Sequence, residues 1–341
     1  MLKIGIIGAG RIGRVHAESI TRFVKDAEVK AIADPFITEE SAAWARRQGI
    51  AEVYSDYKRI LEDKEIDIVL ICSSTDTHSS ISLEAIAHGK HIFCEKPIDH
   101  DVEKIKEVID ALKDTDLKYQ VGFNRRFDHN FMAAQAAVSS GKIGELNILK
   151  ITSRDPAPPP VSYIKVSGGM FLDMTIHDFD MVRFISGDEV EEVYAVGGVL
   201  VDKEIGKAGD IDTAIITLKL KGGALAVIDN SRRAAYGYDQ RVEAFGSLGQ
   251  VAIANDTDST AVISNAEGVV SEKPQHFFLE RYMQAYVNEV TEFITAVAND
   301  TPVKVDVYDG LKPVLIGLAA KLSIEKNRPI KISEITKKYN L

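Results

Sequence analysis

The chain has 341 residues, 45% hydrophobic and 27% charged, which is enough to bury a substantial core in two domains and excludes a small fold dependent on disulfides or metals. Forty-one basic and fifty-one acidic residues leave a formal charge of -10, which argues against a general attraction to nucleic acid. Cys72 and Cys94 are the only cysteines and both lie in apolar runs, so a reducing, cytoplasmic setting is expected, with no disulfide framework. No apolar stretch has the length of a transmembrane helix, and MLKIGIIGAG lacks the pattern of a secretory leader.

From the start, short apolar runs alternate with amphipathic helical patterns. Strands are expected at Leu2 to Ile7, Val29 to Ala33, Ile66 to Ser73, His91 to Cys94 and Tyr119 to Phe123. That rhythm predicts an α/β Rossmann domain over residues 1–124, its parallel sheet covered on both faces. The first strand runs into GAGRIG, where Gly8, Gly10 and Gly13 have the GxGxxG spacing and Arg11 and Ile12 stand between them. The first glycine allows a tight turn, the second lets a pyrophosphate approach the backbone, and the third permits close helix packing. Asp34 ends the second strand where an acid meets an adenosine ribose diol, and no lysine or arginine adjoins it to take a 2'-phosphate, so the expected cofactor is NAD.

Next, CSSTDTHSS places Ser73, Ser74, Thr75 and His78 at the carboxyl end of another strand, as cofactor contacts or as a polar loop with a helix cap. HIFCEKPIDHD then sets Glu95 and Lys96 at a strand end before Pro97. VGFNRRFDHNF follows, with Asn124, Arg125 and Arg126 as candidates for substrate contacts or for salt bridges at the domain junction. Residues 125–341 are expected to form a second domain built on an open, predominantly antiparallel sheet, since strands recur after Gly141 without regular helices and "KGGA" and "SNAEG" look like hairpins. Phe277 to Val297 and Leu311 to Ile324 are expected helices, and they are free to pack back on the first domain. The proline-rich Asp155 to Gly169 segment is expected to be a rigid loop, at a pocket or at a crossover of the sheet.

In FLDMTIHDFDMVRF, Asp173 and His177 stand four apart, which puts them on one face if the segment is a continuous helix. A histidine there can take an alcohol proton while hydride leaves carbon, and a nearby carboxylate favours its protonated form. His177 paired with Asp180, and a merely polar rim of Asp173, His177, Asp178 and Asp180, are competing arrangements. No second histidine or cysteine cluster completes a zinc site, so no catalytic metal is expected.

With GAGRIGRVH, EKP and GGMFLDMTIHDFDMVRF together, the sequence resembles the Gfo/Idh/MocA family of NAD(P)-dependent oxidoreductases, particularly its inositol dehydrogenase branch, over nearly the whole chain. The resemblance implies a catalytic set of Lys96, Asp173 and His177, with His177 as general base and acid and Lys96 at the reacting hydroxyl. It also implies substrate contacts from Asn124, Arg126, Asp155 and Tyr236, with Tyr238 close to the last. The implied activity is NAD-dependent oxidation of myo-inositol to scyllo-inosose by a homotetramer without nucleic-acid or membrane partners. Scyllo-inositol, another inositol isomer or a pyranose sugar would use nearly the same machinery, and an NAD-responsive regulator is the non-enzymatic alternative.

Overall fold

Strands with no polar alternation need cover on both faces, and Ile68–Ile71, buried at every position, is one of them. The computed structural model describes residues 1–341 in two units, Met1–Phe127 with Gln284–Val314 and Asp128–Met283 with Leu315–Leu341. The first carries β1 (Leu2–Ile7), β2 (Ala27–Ala33), β3 (Glu52–Tyr54), β4 (Ile68–Ile71), β5 (His91–Glu95) and β6 (Tyr119–Gly122). All pair in parallel, in the order β3-β2-β1-β4-β5-β6. The order reverses between β1 and β4, so the loops leaving their carboxyl ends diverge and open a crevice there.

The helix Met283–Ala298 belongs to this parallel sheet although it lies far along the chain. Its Val290, Phe293 and Ile294, spaced for one helical face, share a core with Ile4, Ile6, Ile32 and Phe93. The Phe93 and Phe293 ring centroids are 5.9 Å apart.

The second unit contains β7 (Leu146–Arg154), β8 (Val190–Gly198), β9 (Thr213–Leu220), β10 (Leu225–Ser231), β11 (Asp239–Gly246), β12 (Gly249–Ile253), the hairpin β13 (Val262–Asn265) and β14 (Gly268–Ser271), and β15 (Ile330–Lys331). Its seven-stranded sheet runs β12-β11-β7-β10-β9-β8-β15. Only β7 and β10 pair in parallel, which makes the sheet mixed. In β9, Ala214, Ile216, Leu218 and Leu220 are buried while Ile215, Thr217 and Lys219 face out, so one side of the sheet is core and the other is open. The helix Ile176–Ser186 packs on β7 at the core side.

Three elements differ from the sequence expectation. β3 is only three residues long, too short to show a period. The proline-rich segment contains a helical turn, Val161–Ile164, entered from Pro160 where no backbone donor is needed. The segment around Asp173 is not one helix but two, Met170–Asp173 and Ile176–Ser186. No helix is long and apolar enough to cross a membrane.

Because Phe293 is fully buried against the first sheet, Phe293→Ala is expected to destabilise that unit by about 3–5 kcal/mol in chemical denaturation. A loss below about 1 kcal/mol would contradict this packing of the helix.

Candidate active site

At the crevice between β1 and β4, the glycines have different local surroundings. Gly8 adopts φ +105°, and a Cβ there would lie 2.4 Å from the Cys72 carbonyl oxygen; one on Gly13 would lie 1.9 Å from the Gly8 carbonyl oxygen. Both positions therefore exclude a side chain by contacts within the protein. A Cβ on Gly10 would meet no protein atom within 4 Å. The free space at Gly10 lies at the start of the helix Arg11–Phe23, whose first amides point outward without a capping side chain, as a bound pyrophosphate requires. Arg11 is exposed and Ile12 half-buried in that first turn.

Asp34 braces the same loop. One carboxylate oxygen accepts from the Ala9 amide and the other from the Phe36 amide, both at 2.8 Å, leaving lone pairs for a ribose diol. Across the crevice, the Ser73 hydroxyl is 2.7 Å from Thr77 Oγ1, which itself donates to the Ser74 carbonyl at 2.7 Å. Ser74 precedes the helix Thr75–Ala87 without a side-chain cap. His78, expected at the cofactor, is 2% exposed. Its Nδ1 is 2.8 Å from the Pro97 carbonyl and its Nε2 3.0 Å from the Ser73 carbonyl.

The end of β5 carries Glu95 and Lys96, and the Lys96–Pro97 peptide bond is cis. The Glu95 carboxylate lies over Gly122, where a Cβ would be 3.1 Å from its carboxyl carbon, and accepts from His16 Nε2 at 2.6 Å. Sequence reasoning missed His16 as well as Glu289, which arrives from the helix Met283–Ala298. His16 is fully buried with Nδ1 unpaired, and its ring sits edge-on to Phe93 and Tyr286. Burial, then the charge of Glu95, pushes the Glu289 carboxyl well above its ordinary range. Ligand atoms of these three residues lie within 4.8 Å of one another. The 2.6 Å between His16 and Glu95 is a hydrogen bond, since two ligands about 2.1 Å from one metal stand roughly 3.0–3.4 Å apart.

In the second unit, Asp173 ends the short helix Met170–Asp173 and His177 lies in the first turn of Ile176–Ser186. The expected single helical face is replaced by a break at Met174 and Thr175. The Thr175 hydroxyl donates to Asn230 Oδ1 at 2.6 Å, and Asn230 Nδ2 donates to Asp178 at 2.9 Å and to the Ser153 carbonyl at 3.2 Å. This buried network draws the chain toward β10 at the expense of helical continuity. Asp178, within this network, and Asp180, 3.7 Å from the Arg183 guanidinium, are both fully buried and are interior groups instead of a polar rim.

Asp173 accepts from the Tyr163 hydroxyl at 2.9 Å and faces the Arg232 guanidinium at 3.5 Å. Arg232 is 1% exposed and also faces Asp210 at 3.7 Å, so one buried cation serves two carboxylates. No local motif marked Tyr163, Asp210 or Arg232; only the fold brings them to Asp173.

The expected substrate contacts have varied surroundings. Asn124 is 3% exposed. Arg126 forms a two-pronged pair with Asp309, each contact at 3.1 Å. The Asp155 backbone is tied to β10 and the chain after it through Ser231 and Ala234. The Tyr236 hydroxyl donates to Asp239 at 2.5 Å and accepts from Arg154 at 3.2 Å, whereas Tyr238 is buried edge-on to Tyr282.

Residues 2–123 match the family model described as oxidoreductase family, NAD-binding Rossmann fold, and residues 131–252 match the GFO/IDH/MocA C-terminal domain. The chain belongs to the Gfo/Idh/MocA oxidoreductase family. Among its relatives is the myo-inositol 2-dehydrogenase of Thermotoga maritima, 48% identical over 98% of this chain and 99% of the relative. The inositol 2-dehydrogenase of Rhizobium meliloti is 44% identical over 97% and 99% of the two chains. The structure of scyllo-inositol dehydrogenase from Lactobacillus casei with bound NAD(H) and scyllo-inositol superposes with TM-score 0.90 at 32% identity, covering 98% of this chain and 99% of that one. The cofactor of this oxidoreductase is NAD, in accord with the space at Gly10 and the carboxylate at Asp34.

Gly10 has φ -69°, which alanine adopts freely, so Gly10→Ala is expected to leave the thermal midpoint of the NAD-free protein unchanged and weaken NAD binding by about tenfold or more in calorimetric titration. Unchanged NAD affinity would contradict approach of the pyrophosphate at that residue.

Proposed function

We propose that the protein is an inositol 2-dehydrogenase that oxidises myo-inositol to scyllo-inosose. The observation that carries this reading is the nearly full-length match, at 48% identity, to the Thermotoga maritima protein named myo-inositol 2-dehydrogenase. The reaction removes hydride from the carbon and a proton from its hydroxyl, leaving a ketone. NAD supplies the hydride acceptor. The remaining demands fall on the protein: a base for the hydroxyl proton, and stabilisation of the oxygen as negative charge develops.

His177 is the proposed base, returning the proton when the ketone is reduced. Asp173, itself fixed by Tyr163 and Arg232, is proposed to orient that histidine. Lys96 is the proposed ammonium group at the reacting oxygen. Gly8, Gly10, Arg11, Ile12, Gly13, Asp34, Ser73, Ser74, Thr75, Glu95 and Lys96 are proposed to border the cofactor. Of the polyol contacts, Asn124, Asp155 and Tyr236 are retained as proposals, and Arg126 acts there while paired with Asp309.

The proposed assembly is a homotetramer. The register Phe245↔Ile148↔Leu225 sets a row of apolar side chains on the open face of the second sheet, each between 38% and 53% exposed. A second copy of the same face would cover that row. The cytoplasm is the proposed location, supported by buried, unpaired Cys72 and Cys94.

A panel of myo-inositol, scyllo-inositol, D-chiro-inositol and glucose, each followed by NADH absorbance, tests the substrate. Highest kcat/KM is expected with myo-inositol. A preference for scyllo-inositol, the polyol bound in the Lactobacillus casei structure, or for glucose by about tenfold would overturn that assignment, since such a ratio is about 1.4 kcal/mol in transition-state binding. NAD binding without NADH formation from any of the four would favour a regulator.

A further inference from the structure

His78 lies at the start of the helix Thr75–Ala87 yet points inward, and its two ring nitrogens meet backbone carbonyls on separate loops. One carbonyl belongs to Ser73, just beyond β4; the other belongs to Pro97, directly after Lys96. A carbonyl oxygen has no proton to give, so each of these contacts requires a proton on the ring nitrogen. A neutral imidazole carries one such proton. It would leave a nitrogen lone pair facing a carbonyl lone pair at 2.8 or 3.0 Å, in a site 2% exposed where water cannot mediate.

We propose that His78 is a buried imidazolium that acts as a positioning residue for Lys96, holding the turn after β5 to the loop after β4 through the Pro97 and Ser73 carbonyls.

The arrangement has a mechanical consequence. The Ser73 loop and the Lys96 turn leave adjacent parallel strands whose pairing with each other ends at Ile71 and Cys94, the Cys72 amide still bonding the Ile7 carbonyl of β1. A two-ended donor between them sets the spacing that the strands no longer impose. Each loop has one further tie to the same helix, Ser73 through Thr77 at 2.7 Å and the lysine turn through Asp99, which accepts from Ser79 at 2.6 Å, so His78 is the contact that joins the two loops to each other. Burial alone disfavours the charge, while the neighbouring Cys94 side chain and the two carbonyls favour it, and the balance is a raised His78; the Cys94 thiol directs its own proton at the Glu95 carbonyl. Cys94, from β5, is the titratable neighbour facing the ring; the contacts from the other two elements are backbone carbonyls.

This inference rests on the reading of Lys96 as the group at the reacting oxygen, and the test separates the two. The first measurement is nitrogen NMR of the NAD-loaded protein labelled at histidine, with His78 assigned by comparison with His78→Gln. Protons on both ring nitrogens at pH 7.5 are expected; an unprotonated ring nitrogen would overturn the assignment. The second is turnover per NAD-binding site, titrated for each variant so that unfolded protein does not count. In His78→Gln, whose single amide nitrogen cannot span both carbonyls, kcat per site is expected to fall about tenfold or more with the NAD dissociation constant changed less than about threefold. A purely structural role would reduce the number of sites and leave turnover per site unchanged, and that result would overturn the positioning role. Lys96→Ala is measured beside it. Full turnover there would overturn the reading of the lysine and with it this positioning role, whereas loss in Lys96→Ala with unchanged turnover per site in His78→Gln would overturn the positioning role of His78 alone.

Discussion

At the carboxyl end of β1 the backbone passes so close to β4 that a side chain at Gly8 would overlap the Cys72 carbonyl, and the following helix is so close to the turn that one at Gly13 would overlap Gly8. That double approach brings the amino end of the first helix to the switch point of the sheet. It leaves Gly10 facing open space and lets the Ala9 amide reach Asp34. The uncapped helix terminus and the Asp34 carboxylate thus share one turn, joined by the Ala9 amide, as the proposed phosphate and ribose contacts require.

Around the turn that carries Lys96, polar groups are buried in numbers a purely apolar core would not tolerate. Glu95 fits over Gly122 because that residue lacks a side chain, and takes its hydrogen bond from His16. Glu289 lies beside them, its carboxyl pushed well above its ordinary range by burial. In the second unit, Asp173 and Asp210 share the buried guanidinium of Arg232. Buried polar networks of this kind fix side-chain direction more than they add stability, because any member left unpaired carries a large desolvation penalty. Such direction is what a hydride transfer needs, since small misplacements of the reacting groups cost rate steeply.

Local chemistry made the first sheet and its glycine turn legible in the sequence: uninterrupted apolar runs mark buried parallel strands, and GxGxxG states its own steric need. The open second sheet was legible from alternation such as that of β9. The remainder depends on partners distant in sequence. The helix around Asp173 breaks because Thr175 finds Asn230, some fifty residues on, and no periodicity of FLDMTIHDFDMVRF records that bond. His16, Glu95 and Glu289 come from three separate elements. His78 was visible as a polar residue near the crevice, but its inward orientation emerges only when the Ser73 and Pro97 carbonyls are in place.

The central claim is that the chain itself manages the alcohol proton through His177 while NAD takes hydride. Rapid mixing of His177→Ala protein with saturating NAD and myo-inositol, followed by NADH absorbance within the first turnover, tests it most directly. The account predicts NAD affinity close to that of the unaltered protein and NADH formation slowed by about a hundredfold or more, the usual contribution of a general base. NADH formation at the unaltered rate would contradict it.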